Sequence, residues 1–163
     1  MTTQPEPLWL THARTYIGTK ELAGAGTSPV IAGWLTRLRS SWRDDETPWC
    51  GTFVAGVFTC FEIAPADQWY RARAWLNWGV PLEAPRAGCV VVFERGPAAG
   101  HVGFVVGEDS RGNVLTLGGN QGDAVSIASF PRRRVLGFRW PTGEPMPETL
   151  PTLDAVSPST SEA

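Results

Sequence analysis

The chain has 163 residues, 42% of them hydrophobic, with eight tryptophans and a formal net charge of −2. That length suits one domain with a substantial core, and no apolar run approaches the length of a membrane-spanning helix. Residues 142–163 hold Glu144, Glu148, Asp154 and Glu162 without a basic residue, which leaves 12 acids against 14 bases over residues 1–141. So small a basic excess does not argue for nucleic acid as a partner. Three cysteines make no disulfide framework, and no two of them have zinc-finger spacing, so reduced thiols with no metal and no other cofactor are expected. The opening Met-Thr-Thr-Gln-Pro-Glu-Pro lacks the basic and apolar regions of a signal peptide.

Residues 7–18 read as a first helix carrying Leu8, Trp9, Ala13, Tyr16 and Ile17 on one face, with Gly18 as its C-terminal cap. A glycine-rich loop follows, from Thr19 to Pro29. It is not a phosphate-binding loop, because no strand precedes it and no Gly-Lys-Ser/Thr follows. Ser28 before Pro29 caps a second helix to about Leu38, and a polar loop, residues 40–47, leads to Pro48-Trp49-Cys50. From Cys50 the apolar residues Phe53, Val54, Val57, Phe58 and Phe61 keep helical spacing, as a helix with one buried stripe would. Pro65 starts a further helical stretch through Trp69, Ala72 and Leu76, closed by Gly79, and residues 81–88 form a proline-rich connection.

Beyond it the period changes to that of strands: Cys89–Phe93, His101–Val106, Val114–Leu117, Ala124–Phe130 and Val135–Trp140. Helices first and strands afterwards predict an α+β domain over residues 1–141 with a roughly five-stranded antiparallel sheet. The tail, residues 142–163, carries Pro145, Pro147, Pro151 and Pro158 among Ser, Thr and Glu, and is expected to be disordered.

A free cysteine on a core helix is usually a small buried hydrophobe. Cys50 differs by its place in the first helical turn, where unpaired N–H groups and the helix dipole favour a thiolate and can receive an oxyanion. Cys60, at the far end of that helix, and Cys89, inside an apolar strand, lack polar neighbours and are expected to be inert. Of the two histidines, His12 sits on the first helix as a satisfied or solvated residue, whereas His101 opens a strand and is the candidate base. The turn Asp109-Ser110-Arg111-Gly112 centres its hairpin between Ser110 and Arg111, so paired residues have numbers summing to 221. On that register His101 faces Asn120, with Cβ atoms about 5 Å apart. The Asn120 carboxamide then holds the imidazole; a slip of one residue would present Gly119 or Gln121 instead.

Together, Trp49-Cys50 opening a helix, Pro85-Arg86-Ala87-Gly88 leading into a strand, Gly100-His101-Val102-Gly103-Phe104, and Gly119-Asn120-Gln121 resemble the NlpC-type and CHAP (cysteine, histidine-dependent amidohydrolase/peptidase) peptidoglycan hydrolases. The resemblance spans roughly residues 8–141 and implies a papain-like fold. It also implies a Cys50 thiolate attacking an amide of the cell-wall stem peptide, with His101 as base and Asn120, or Gln121 in reserve, orienting it. The sequence departs from the pattern at Trp49, where an Asp often precedes the NlpC cysteine, and at Asn120, which no Glu adjoins as in many CHAP sites. Similar proteins often carry Lys-Glu followed by glycines where Lys20-Glu21 stands. That makes Glu21 a candidate, though an exposed loop carboxylate is the simpler reading. Trp49, Trp42 and Arg86 are candidates to line a substrate groove, and core burial explains the tryptophans equally well.

The implied partner is peptidoglycan, with an immunity protein or secretion-system component as a further one, and with neither nucleic acid nor membrane. The implied enzyme is an endopeptidase or an N-acetylmuramoyl-L-alanine amidase, of the kind found in endolysins released through a holin-type lesion or in bacteriolytic effectors delivered by a secretion machine. An acyl transferase on the same fold and a non-catalytic wall-binding module are the alternatives.

Overall fold

The computed structural model describes residues 6–22, 26–153 and 158. Three α-helices come first, α1 (Leu8–Arg14), α2 (Pro29–Arg37) and α3 (Cys50–Thr59). A 3-10 helix (Ala72–Asn77) then leads to six strands: β1 (Val80–Leu82), β2 (Val90–Arg95), β3 (Ala99–Glu108), β4 (Val114–Gly118), β5 (Ser126–Phe130) and β6 (Val135–Trp140). They form one antiparallel sheet in the order β1-β6-β2-β3-β4-β5. The expected α+β class is therefore observed. Strands β2 to β5 make the expected meander, while β6 returns across it to lie between β1 and β2.

Every residue of α3 from Cys50 to Phe58 is buried, not one stripe of it, because the helix is wedged between α2 and the sheet. Close approach on both sides depends on glycine. A methyl group on Gly56 would stand 2.7 Å from the Trp34 ring of α2, and one on Gly51 would run into the Trp69 carbonyl oxygen. On the sheet side, Phe53 and Phe58 meet the β3 ring of Phe104 edge-on at centroid distances of 5.8 and 5.4 Å. Each such pair adds about 0.5–1.5 kcal/mol beyond simple burial. This packing holds the first turn of α3 against β3.

Two expected elements differ. The stretch from Pro65 is not an α-helix; only Ala72–Asn77 is helical, as 3-10. An α-helix there would need the Trp69 carbonyl to accept from Arg73, but that oxygen accepts the Trp75 indole N–H at 3.0 Å and abuts Gly51. The proline-rich connection contains β1, which pairs Pro81 with Arg139 of β6. Its position at the sheet edge is where a strand tolerates proline. The first helix is also shorter than the 7–18 expected, ending at Arg14.

The tail does not stand free over its described part. The Trp140 indole donates to the Glu144 carbonyl at 2.8 Å, and the Arg86 guanidinium donates to the Glu148 carbonyl. Leu150 packs on the core, and Glu108 at the end of β3 exchanges backbone bonds with Pro151 and Leu153 at 2.9 and 2.7 Å. Few of these contacts are large side chains, so composition gave no sign of them. Residues 154–157 and 159–163 lie outside the described residues. Truncation after Pro141 is predicted to lower the melting temperature by about 5 °C or more, as loss of a half-buried leucine and several hydrogen bonds should. Differential scanning calorimetry of the truncated and full chains checks this.

Candidate active site

Cys50 is the first residue of α3 and is 4% exposed. Burial pushes its thiol up, while N–H groups of Val102 and Gly51, then the charge of Arg95, and last the N–H of Cys50 itself, favour the thiolate. The Val102 contact matters most for geometry: it brings the sulfur to the residue that follows His101 on β3. Cys89 is buried with its thiol pushed up to about 12, again chiefly by burial. Cys60 is exposed, not enclosed, and its sulfhydryl points to the Gly56 carbonyl at 3.7 Å.

His101 is fully buried. Its ring lies near-parallel to Phe130 at 5.5 Å between centroids, and Phe130 stacks on Phe93 at 4.2 Å. The Arg134 guanidinium caps the Phe130 ring at 5.4 Å. The His101 ring Nε2 lies 2.9 Å from Oε1 of Gln121, within hydrogen-bond reach. The orientation of that amide is determined by its other end, because Nε2 of Gln121 donates to two carbonyl oxygens, Thr116 at 3.2 Å and Ser126 at 2.8 Å. Turning the amide over would set an oxygen against both carbonyls. Oε1 must therefore face the imidazole, and an acceptor there requires the proton to sit on His101 Nε2. The lone pair is left on Nδ1.

This corrects the expected pairing with Asn120. The register summing to 221 does occur, at Phe104–Leu117 and Val105–Thr116, and a bulge shifts it nearer the turn. But β4 ends at Gly118, and Asn120 takes a left-handed conformation with φ 60°. One left-handed residue breaks the alternation of a strand, so it is Gln121 that swings to the histidine. The Asn120 amide is buried and makes no hydrogen bond with the described residues. Gly118 is the signal that sequence reasoning passed over. A methyl group there would collide with Gln121 Oε1 and stand 3.2 Å from His101 Nε2.

Of the other candidates, Glu21 is drawn into the site and is not a free loop acid: its Oε1 accepts the Trp49 indole N–H at 2.8 Å. Burial raises its pKa first, the indole bond opposes that, and the charges of Asp123, Asp45 and Glu46 raise it further. Trp49 lines no groove, being 1% exposed between Trp34 and Gly119. Arg86 is held by the tail. Trp42 is half-exposed and joins Trp69 and Tyr70 in an aromatic cluster, at centroid distances of 5.6 and 5.5 Å. Since the Trp69 carbonyl abuts Gly51, this cluster lies beside the first turn of α3, which carries Cys50. His12 bonds Tyr16 at 3.2 Å and packs on Phe61, a satisfied structural residue. Among the described residues no group of acids, histidines and cysteines is arranged to hold a metal ion, and no helix is long and apolar enough to cross a membrane.

The family model of the CHAP domain matches residues 42–120. Over that stretch the chain is similar to a CHAP domain. The match contains both Cys50 and His101 and ends one residue before Gln121. No curated protein matches the chain. CHAP domains are cysteine- and histidine-dependent amidohydrolases or peptidases, and at the level of the family the reaction is hydrolysis of peptidoglycan.

Two outcomes are expected from this geometry. Gln121→Ala should lower kcat by roughly 10- to 1000-fold with a smaller change in KM, as loss of an orienting group does. Asn120→Gly, which keeps the left-handed backbone, should stay within about threefold of the parent. Steady-state kinetics on both variants checks the pair. In the folded protein at neutral pH, iodoacetamide should reach Cys60 without loss of activity, and inactivation should follow labelling of Cys50. A Cys60→Ser variant that is still inactivated, with Cys50 carrying the label by mass spectrometry, is the expected result.

Proposed function

We propose that this CHAP domain hydrolyses an amide bond of the peptidoglycan stem peptide through Cys50, with His101 as base and Gln121 as the residue that orients it. The observation that carries this reading is the forced orientation of the Gln121 amide, which leaves a basic lone pair on His101 Nδ1 next to the residue that contacts the Cys50 sulfur.

The steps follow from the positions. His101 Nδ1 removes the thiol proton, and the sulfur attacks the carbonyl carbon of the scissile amide. The oxygen takes up the negative charge beside the unpaired N–H groups that open α3. As the tetrahedral adduct collapses, the C–N bond breaks and the imidazolium gives its proton to the departing amine. Water, deprotonated by the same imidazole, then hydrolyses the thioester and releases the acid. The ion pair that forms in the first step offsets the burial that raises the Cys50 thiol. The flat contact with Phe130 suits the imidazolium while it lasts. The half-exposed Trp42 and the exposed Tyr70, beside the first turn of α3, are the aromatics proposed to meet substrate.

Zymography on purified cell walls, with mass spectrometry of the released fragments, tests the activity and identifies the bond. The wild-type chain should clear the gel and release fragments with new amino and carboxyl ends, while Cys50→Ala gives neither and keeps its far-UV spectrum. The proposed reaction uses no metal, so EDTA should leave the rate unchanged. Hydrolysis that persists in Cys50→Ala, or that EDTA abolishes and zinc restores, would replace this mechanism.

A further inference from the structure

The polar contacts around Cys50 close into a circuit, and one member of it has no role in the chemistry above. The segment from residue 18 to residue 21 runs beside residues 123–125. Gly18 and Glu21 donate their N–H groups to Val125 and Asp123, and Val125 donates back to Thr19, at 2.9, 3.1 and 2.8 Å. Just after Glu21, the backbone N–H groups of Leu22 and Ser28 both donate to Oδ2 of the fully buried Asp45, at 2.9 and 2.7 Å. The backbone of Glu21 is thus held from two sides. Its carboxylate then reaches the indole N–H of Trp49, the residue immediately before Cys50. Just before the segment that anchors Glu21 stands Gln121, which holds His101 and is tied to Ala124 through its N–H at 2.9 Å.

We infer that Glu21 is a positioning residue for the nucleophile: its carboxylate oxygen holds the Trp49 indole, and through Trp49 fixes where α3 begins and where the Cys50 sulfur sits relative to His101. Trp49 has little other freedom. Its ring is buried, lies 6.2 Å from Trp34 between centroids, and leaves no room for a side chain on Gly119, where a methyl group would stand 2.8 Å away. Its backbone, at φ −122° and ψ 20°, is the non-helical residue from which α3 departs. A buried indole N–H deprived of its acceptor rotates or draws in water, and either movement is passed to the next residue. One strip of chain, residues 120–125, therefore sets both reacting groups, the histidine through Gln121 and the cysteine through Glu21.

This inference rests on the proposed role of Cys50, and the test separates the two. Glu21→Ala and Trp49→Phe each remove one half of the bond; Glu21→Gln keeps an acceptor oxygen and removes only the charge. Glu21→Ala and Trp49→Phe are expected to lower kcat about tenfold with KM within about twofold, and the double variant should be no slower than either single one. Glu21→Gln should recover most of the loss seen in Glu21→Ala. In a Cys60→Ser background the alkylation rate of Cys50 should fall in the same two variants and recover in Glu21→Gln, a readout that holds whichever residue performs hydrolysis. Multiplying effects in the double variant, or a Glu21→Gln as slow as Glu21→Ala in both assays, would overturn the inference. So would a lowered melting temperature with kcat and alkylation unchanged. Failure of the proposed function would instead appear as Cys50→Ala that still cleaves cell wall while the alkylation pattern holds.

Discussion

The bond between His101 and Gln121 is the constraint on which the site depends. A buried imidazole can carry its proton on either nitrogen, and the two tautomers differ little in energy in water. Here the choice is made two steps away, by the carbonyls of Thr116 and Ser126, which accept both N–H groups of the Gln121 amide and so present its oxygen to the ring. Those carbonyls belong to β4 and to the first residue of β5. The protonation state of the candidate base is thereby tied to the pairing of two strands. Loosening the β4–β5 edge would affect chemistry before it affected the core.

The second requirement is that a helix start and a strand meet at the distance of a hydrogen bond. The sequence meets it with glycines and large rings together. Gly51 and Gly56 let α3 sink between its neighbours, and Phe53, Phe58 and Phe104 fill the space between helix and sheet. Ring packing gives rigidity that a flexible aliphatic core would lack. The cost is a candidate nucleophile taken out of water, whose thiol burial pushes up.

How much of this was legible beforehand follows from the range of each signal. Helical spacing after Cys50 and strand runs from Cys89 onward are local patterns, and both survive as α3 and the sheet. The juxtaposition of Cys50 with the His101 strand was readable because the helix dipole makes one cysteine of three distinctive. The orienting residue was not, since the register argument assumed that strand alternation continues to Asn120, and a single left-handed residue ended it. Glu21 was a candidate only through the family resemblance, and its partner was not legible in the residues. Its importance comes from an indole 28 residues away in sequence, and no periodicity reports such a contact. The docked tail was hidden by composition, because it holds mainly through backbone groups that every sequence possesses.

The docking of that tail determines what can be attached to the domain. It pairs with the end of β3 at Glu108, and Pro158 bridges Ser129 of β5, the residue before the Phe130 whose ring packs on His101. A cargo joined directly after Pro158, such as a wall-targeting module or a fluorescent reporter, would start beside β5, the strand whose Phe130 ring packs on His101. Such a chimera gains local concentration on an insoluble polymer, with its linker starting beside the strand whose Ser126 carbonyl helps to orient Gln121.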